Sequence, residues 1–202
     1  MLGAAVTAAE PTVLIVGDSL SAGYGIAKEA SWVTLLEERL EREGYGYRVV
    51  NASISGDTTE GGLQRLPRAL EKHEPAVVII ELGGNDGLRG FPLALIRRNL
   101  EAMIELSCDT GARVVLAGMR LPPNYGPAYT AGFQDIYRAL AEKYDVALVP
   151  FLLEGVALEP ALMLADGIHP NAKAQQKLLD NIWTELEPEL RELRSDTLEL
   201  SQ

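Results

Sequence analysis

The sequence predicts an α/β fold, a five-stranded parallel sheet with helices on both faces. Three observations carry this. Five short apolar runs rich in Val, Ile and Leu alternate with amphipathic helical stretches along the chain. The third run, Ala76 to Leu82, is apolar nearly throughout, as a strand buried on both faces must be. The residues with chemistry on them fall in the loops that follow the strands, where a doubly wound sheet gathers its ligands at one edge.

The elements follow in order. Thr12 to Val16 is the first strand, and it runs into Gly17-Asp18-Ser19-Leu20. Ser31 caps a helix whose apolar face is Trp32, Leu35, Leu36 and Leu40, and Gly44 stops it. Tyr47 to Asn51 is the second strand, followed by a small-residue loop, Ala52 to Thr58. Asp57 and Glu60 have the spacing of a capping box for the next helix, which carries Leu63, Leu66 and Leu70 and ends near His73. The third strand ends in Gly83-Gly84-Asn85-Asp86-Gly87, and a helix runs from about Pro92 to Ser107. Arg113 to Ala117 is the fourth strand, with a Pro- and Gly-rich loop after it. A helix from about Tyr129 to Tyr144 leads to a fifth strand, Val146 to Val149. An irregular stretch from Pro150 to Pro170 contains Asp166-Gly167-Ile168-His169, and a last helix begins near Asn171. Its break is expected at Pro188, with a fraying charged tail over 189–202. Residues 10–188 therefore read as one domain, behind a leader of nine residues.

Composition narrows the function. The net charge of −11 argues against binding a nucleic-acid backbone, which needs clustered Lys and Arg. One cysteine excludes an internal disulfide, and one Cys with two His argues against a Cys/His zinc site. The helical pattern around Cys108 predicts a buried thiol. No run of about 18 apolar residues is present to span a membrane. Met1 to Ala9 is small and apolar, and reads either as the remnant of a secretory signal or as a disordered N-terminus. A monomer is the default.

Ser19 stands at the end of the first strand. A serine is a weak nucleophile and needs a base, an orienting acid and an oxyanion hole. His169 is the candidate base. Asp166, three residues before it across a glycine, is placed to reach its ring; the plainer reading is an Asx turn. His73, at a helix end on the opposite side of the sheet, reads as a solvated residue. Gly56 offers an unobstructed N–H and Asn85 a side-chain amide; taken singly, either is equally a turn glycine or a helix cap. Asp18 is expected to hold the loop through backbone hydrogen bonds. The nucleotide-loop and G-x-S-x-G patterns are absent.

Gly17-Asp18-Ser19-Leu20, Gly56, Gly83-Gly84-Asn85-Asp86 and Asp166-x-x-His169 resemble, in order, the four sequence blocks of the GDSL/SGNH hydrolases. The similarity extends over roughly Pro11 to Leu186, and Asn51 to Thr58, Glu81 to Gly90, Arg120 to Gly126 and Asp166 to Asn171 look like the bacterial periplasmic thioesterases and arylesterases of that family. The resemblance implies a three-layer, flavodoxin-like α/β/α hydrolase that needs no cofactor or metal. It implies Ser19, Asp166 and His169 as the catalytic set and Ser19, Gly56 and Asn85 as the oxyanion hole. It also implies a mobile loop over Gly87, Leu88, Arg89, Gly90, Phe91 and Pro92 that closes on acyl chains, with Leu121 and Pro122 on the acyl-facing wall. The expected substrates are small acyl esters and thioesters: aryl esters, acyl-CoA and lysophospholipids. The expected location is periplasmic or secreted, which favours the signal reading of the leader. A carbohydrate acetylesterase on the same fold is the nearest alternative; a non-catalytic lipid-binding protein is a remote one.

Overall fold

The computed structural model describes residues 10–199. The leader, 1–9, and the last three residues lie outside the described residues. Among the described residues, five strands form one parallel sheet in the order β2-β1-β3-β4-β5. They are β1 (Thr12–Gly17), β2 (Arg48–Asn51), β3 (Val77–Glu81), β4 (Arg113–Ala117) and β5 (Ala147–Val149). The α-helices are α1 (Ser19–Ala22), α2 (Trp32–Arg42), α3 (Thr59–His73), α4 (Gly84–Leu88), α5 (Leu93–Asp109), α6 (Pro127–Tyr144) and α7 (Gln175–Glu199).

The strand order dictates the layers. The chain leaves β1 in one direction to reach β2, then returns past β1 to β3 and continues to β4 and β5. Right-handed crossovers then put α2 on one face and α3, α5 and α6 on the other. α7 follows β5 and returns to pack beside α2. Every residue of β1 and β3 is buried, because these central strands are covered on both sides. The reversal between β1 and β3 leaves a crevice at their carboxyl ends, and the Ser19 and Asn85 loops open into it.

Local sequence sets most of the element ends. The Ser31 hydroxyl accepts the Thr34 N–H and starts α2 as expected. The start of α3 differs from expectation by one residue. Thr58 is the cap, accepting from the Gly61 N–H, so Asp57 and Glu60 do not form a capping box. Asp57 is instead held by Arg65 in an ion pair of 2.8 Å and accepts the Thr58 N–H. α6 begins at Pro127, two residues earlier than the periodicity gives, because a proline at the first helical position needs no N–H partner.

Three further expectations are corrected. α7 does not end at Pro188 but runs through it to Glu199. Proline forfeits one backbone hydrogen bond, but Leu186 and Leu190 on either side are fully buried and Leu193 packs on the core. Arg113 also grips the continuation, with Glu189 and Glu192 at 3.3 and 3.1 Å. Cys108 is exposed, not buried. The buried stripe of α5 is Ile96, Leu100, Met103, Ile104 and Ser107, and Cys108 lies just past its edge. His73 is half-buried at the end of α3 rather than solvated, and burial lowers its pKa, with the Lys72 and Arg48 charges adding to the effect.

Candidate active site

The site is assembled from the carboxyl ends of β1, β2 and β3 and the segment before α7. Ser19 opens α1 directly after β1 and is nearly buried. Asp18 caps this short helix, its Oδ1 accepting the Leu20 N–H at 3.1 Å. Gly23 ends it in the left-handed region at φ +74°, a conformation that costs glycine little. The turn is therefore one turn of helix and not a strained elbow.

His169 meets Ser19 across 150 residues of sequence. Its Nε2 lies 2.9 Å from Ser19 Oγ, and its Nδ1 lies 2.7 Å from Asp166 Oδ2. The Asp166 carboxylate accepts only, so Nδ1 carries the hydrogen and Nε2 is left free to accept the serine proton. The other carboxylate oxygen accepts the Ile168 and His169 N–H groups at 2.9 and 3.0 Å. The Asx turn and the ring contact are thus one arrangement: the same carboxylate folds the loop and orients the imidazole. These donors, led by the His169 N–H and ring, pull the Asp166 pKa down to about 2.

The loop bearing the pair is fastened from below. Leu164 N–H donates to His169 C=O at 2.7 Å. The Asn171 amide donates to the carbonyls of Ala161 and Met163. Gln175, buried at the start of α7, accepts the Trp32 N–H, which ties the loop base to α2. The Tyr24 ring lies against the His169 ring, with centroids 4.4 Å apart.

Gly56 and Asn85 face the same crevice. Gly56 has φ +79° and open space where a Cβ would stand. Arg89 donates to the Gly56 carbonyl at 3.1 Å and steadies that turn. The Asn85 amide donates one hydrogen to Asp18 Oδ2 at 2.8 Å, which leaves the second free. Asp18 therefore does more than hold its own backbone, since it also orients Asn85.

Several supporting residues carry no signal in sequence. Arg65 donates to the carbonyls of Ala52 and Gly17 as well as to Asp57, and so fastens the loops after β1 and β2 together. Asp86 accepts both the N–H and the hydroxyl of Thr59, at 2.9 and 2.5 Å, while Asn99 donates to the same hydroxyl. That joins the Asn85 block to the start of α3. Asp86 is visible in the Gly-x-Asn-Asp block; its partners are not, because the contact is set by tertiary packing.

The segment expected to be one loop, 87–92, is divided. Gly87 and Leu88 belong to α4; Arg89, Gly90 and Pro92 are exposed and Phe91 is half-buried. Leu121 packs so closely on Gly87 that a Cβ there would stand 2.7 Å from its Cδ2. Pro122 is exposed beside it. Tyr125 and Tyr129 hydroxyls donate to the carbonyls of Leu88 and Phe91 at 2.9 and 2.6 Å.

Comparisons with known proteins agree with this geometry. The profile of the GDSL-like lipase/acylhydrolase family matches residues 15–177. The chain is 54% identical over 181 residues to esterase TesA of Pseudomonas aeruginosa, covering 90% of each. It is 46% identical to thioesterase 1/protease 1/lysophospholipase L1 of Escherichia coli K12, covering 90% of this chain and 86% of that one. The crystal structure of psychrotrophic esterase EstA from Pseudoalteromonas sp., inhibited by monoethylphosphonate, superposes with a TM-score of 0.85 at 40% identity. It covers 90% of this chain and 100% of EstA. With its four sequence blocks brought to one crevice and matches over most of its length, the chain belongs to the GDSL-like lipase/acylhydrolase family.

Proposed function

We propose that the protein is a serine hydrolase that cleaves carboxylic esters and thioesters through an acyl-enzyme on Ser19. The observation that carries the reading is the continuous chain Ser19 Oγ, His169 Nε2, His169 Nδ1, Asp166 Oδ2, with links of 2.9 and 2.7 Å. His169 takes the Ser19 proton as Oγ bonds to the acyl carbon. The carbonyl π pair moves onto oxygen, and the oxyanion is held by the Ser19 and Gly56 N–H groups and the free hydrogen of the Asn85 amide. Collapse of this intermediate breaks the bond to the alcohol or thiol, which leaves with the proton from His169. Water then repeats the sequence on the acyl-enzyme, giving the carboxylic acid and free Ser19. Asp166 stays ionised throughout and stabilises the imidazolium.

The crevice rim supports an acyl substrate. Tyr24, Ile54 and Ile168 stand exposed beside His169 and the Gly56 turn, where an apolar chain would cover them. Names of relatives point the same way: esterase, and thioesterase/lysophospholipase. On this reading 87–92, Leu121 and Pro122 contact the acyl chain. A carbohydrate acetylesterase would want a polar cleft instead. Turnover of a chain-length series of aryl esters and acyl-CoA, beside acetyl-xylan, tests the assignment. Hydrolysis of the first two at rates well above the third is expected; acetyl-xylan as the preferred substrate overturns the acyl reading. Ser19→Ala should lower turnover by at least about 10,000-fold while leaving the circular dichroism unchanged. The resemblance to periplasmic members of the family supports a periplasmic or secreted location, and a monomer is the default state; fractionation and light scattering test the two.

A further inference from the structure

Beneath the nucleophile lies a second carboxyl pair that the mechanism above does not use. Glu81 ends β3, opposite Gly17 in the register of the sheet, and its exposure is 0%. One carboxyl oxygen, Oε2, accepts the Ser21 hydroxyl at 2.6 Å and the Asp18 N–H at 3.2 Å. The other, Oε1, is buried and meets no donor among the described residues. Space around the group is tight: a Cβ on Gly17 would lie 2.6 Å from Oε2 and 2.9 Å from Ser21 Oγ. Gly17 is therefore small because Glu81 is there.

The neighbours decide the charge. From the β1 turn the ionisable neighbour is Asp18, itself buried, whose N–H meets Glu81 Oε2 and whose charge acts on the Glu81 carboxyl. From α3, Arg65 reaches the Gly17 carbonyl but directs its other nitrogens to Asp57 and Ala52. From α4 come Asn85, which faces Asp18, and Asp86, which faces Thr59. From α6, the Tyr137 hydroxyl donates to the Leu82 carbonyl. His169 is the cation that acts on Asp18 when charged. No cation is paired with Glu81 among the described residues. An ionised Glu81 would be a dry charge beside a second carboxylate, with one oxygen bare. A proton removes both penalties, since a neutral acid has a hydrogen to donate and leaves only a carbonyl-type acceptor to satisfy.

Building on the esterase reading, we propose that Glu81 is a positioning residue that works as a neutral carboxylic acid. It clamps the Asp18 N–H and the Ser21 hydroxyl and donates to the Asp18 carboxylate, which in turn aims the Asn85 amide at the oxyanion. The chain of contacts runs from β3 to the nucleophile turn and on to α4, so one buried proton sets the geometry of two oxyanion donors. Burial, and next the Asp18 charge, both push the Glu81 pKa well up, which agrees with this protonation state. Glutamine is the faithful replacement, having one acceptor oxygen and one donor group. Leucine fills the volume but has neither.

Infrared spectroscopy of the full chain in heavy water at neutral pH tests the proton directly. A protonated-carboxyl C=O stretch should be present and should disappear in Glu81→Gln. Steady-state kinetics on a short aryl ester test the positioning. Glu81→Gln should lower kcat by less than about tenfold, and Glu81→Leu by about 100-fold with KM little changed, the scale of losing one oxyanion donor. If the leucine variant does not fold, the infrared band and the glutamine variant still decide the matter. Absence of the band, its persistence in Glu81→Gln, or a glutamine variant that loses 100-fold or more in kcat overturns the proposal. A chain that shows the band but hydrolyses no ester would defeat the esterase reading alone.

Discussion

Two carboxyl groups flank Ser19, and they are handled in opposite ways. Asp166 lies on the solvent side, 37% exposed, with three donors on it, and its pKa is held at about 2. Glu81 lies on the core side, wholly buried beside a second acid, and its pKa is pushed well up. The residue types are chemically alike; their surroundings separate them. The exposed acid can stay ionised because its donors belong to its own loop and water screens the remainder. The buried acid has no such screening and avoids its charge by keeping a proton. One arm handles charge during turnover, and the other holds atoms still.

Asp166→Asn should cost on the order of 1,000-fold or more in kcat, because an amide can present a donor to Nδ1 and favour the wrong tautomer. Steady-state kinetics check it; a loss below tenfold would mean the exposed arm needs no charge. Asn85→Ala should cost about 100- to 1,000-fold in kcat with KM little altered. An unchanged kcat would remove Asn85 from the oxyanion hole. Gly17→Ala should destabilise by about 1–3 kcal/mol in urea, since its Cβ would overlap Glu81 Oε2 and Ser21 Oγ. Thr58→Ala should cost about 1 kcal/mol through loss of the α3 cap, whereas Glu60→Ala should cost much less.

Stability against pH separates the arms further. Asp166 has a lowered pKa, so its contribution is complete above its ordinary value of 3.8 and is lost as pH falls toward about 2. Glu81 has a raised pKa, so its burial costs more as pH climbs above its ordinary value of 4.5 and through its folded value. Glu81→Gln should therefore gain in Tm relative to the parent between about pH 5 and about pH 8. A difference that does not change over that range would mean that Glu81 is ionised.

The sheet, its strand limits within a residue or two, and the exposed arm were legible in the sequence. Apolar runs mark strands by themselves, and Ser19, Gly56, Asn85 and the Asp166/His169 pair sit in loops whose residue types betray their chemistry. Glu81 was not legible as a distinct group. It ends an apolar run, and a glutamate at a strand end is ordinarily read as the point where the chain meets water. Only the packing of Asp18 and Ser21 over it shows otherwise. Cys108 was misplaced because one position on a helix moves a side chain by about 100° around the axis, enough to leave the buried stripe. Pro188 was read as a stop, but long-range contacts of Leu190 and Arg113 outweigh one missing hydrogen bond. Arg65 and Gln175 join elements distant in sequence, and no local pattern announces them.

The mechanism stands on Ser19 being the acylated nucleophile. Treatment of the protein with a fluorophosphonate, followed by intact-mass and peptide mass spectrometry, tests it most directly. A single adduct on Ser19, absent from Ser19→Ala and greatly slowed in His169→Ala, is the predicted result. An adduct on another residue, or one that persists in Ser19→Ala, would contradict it.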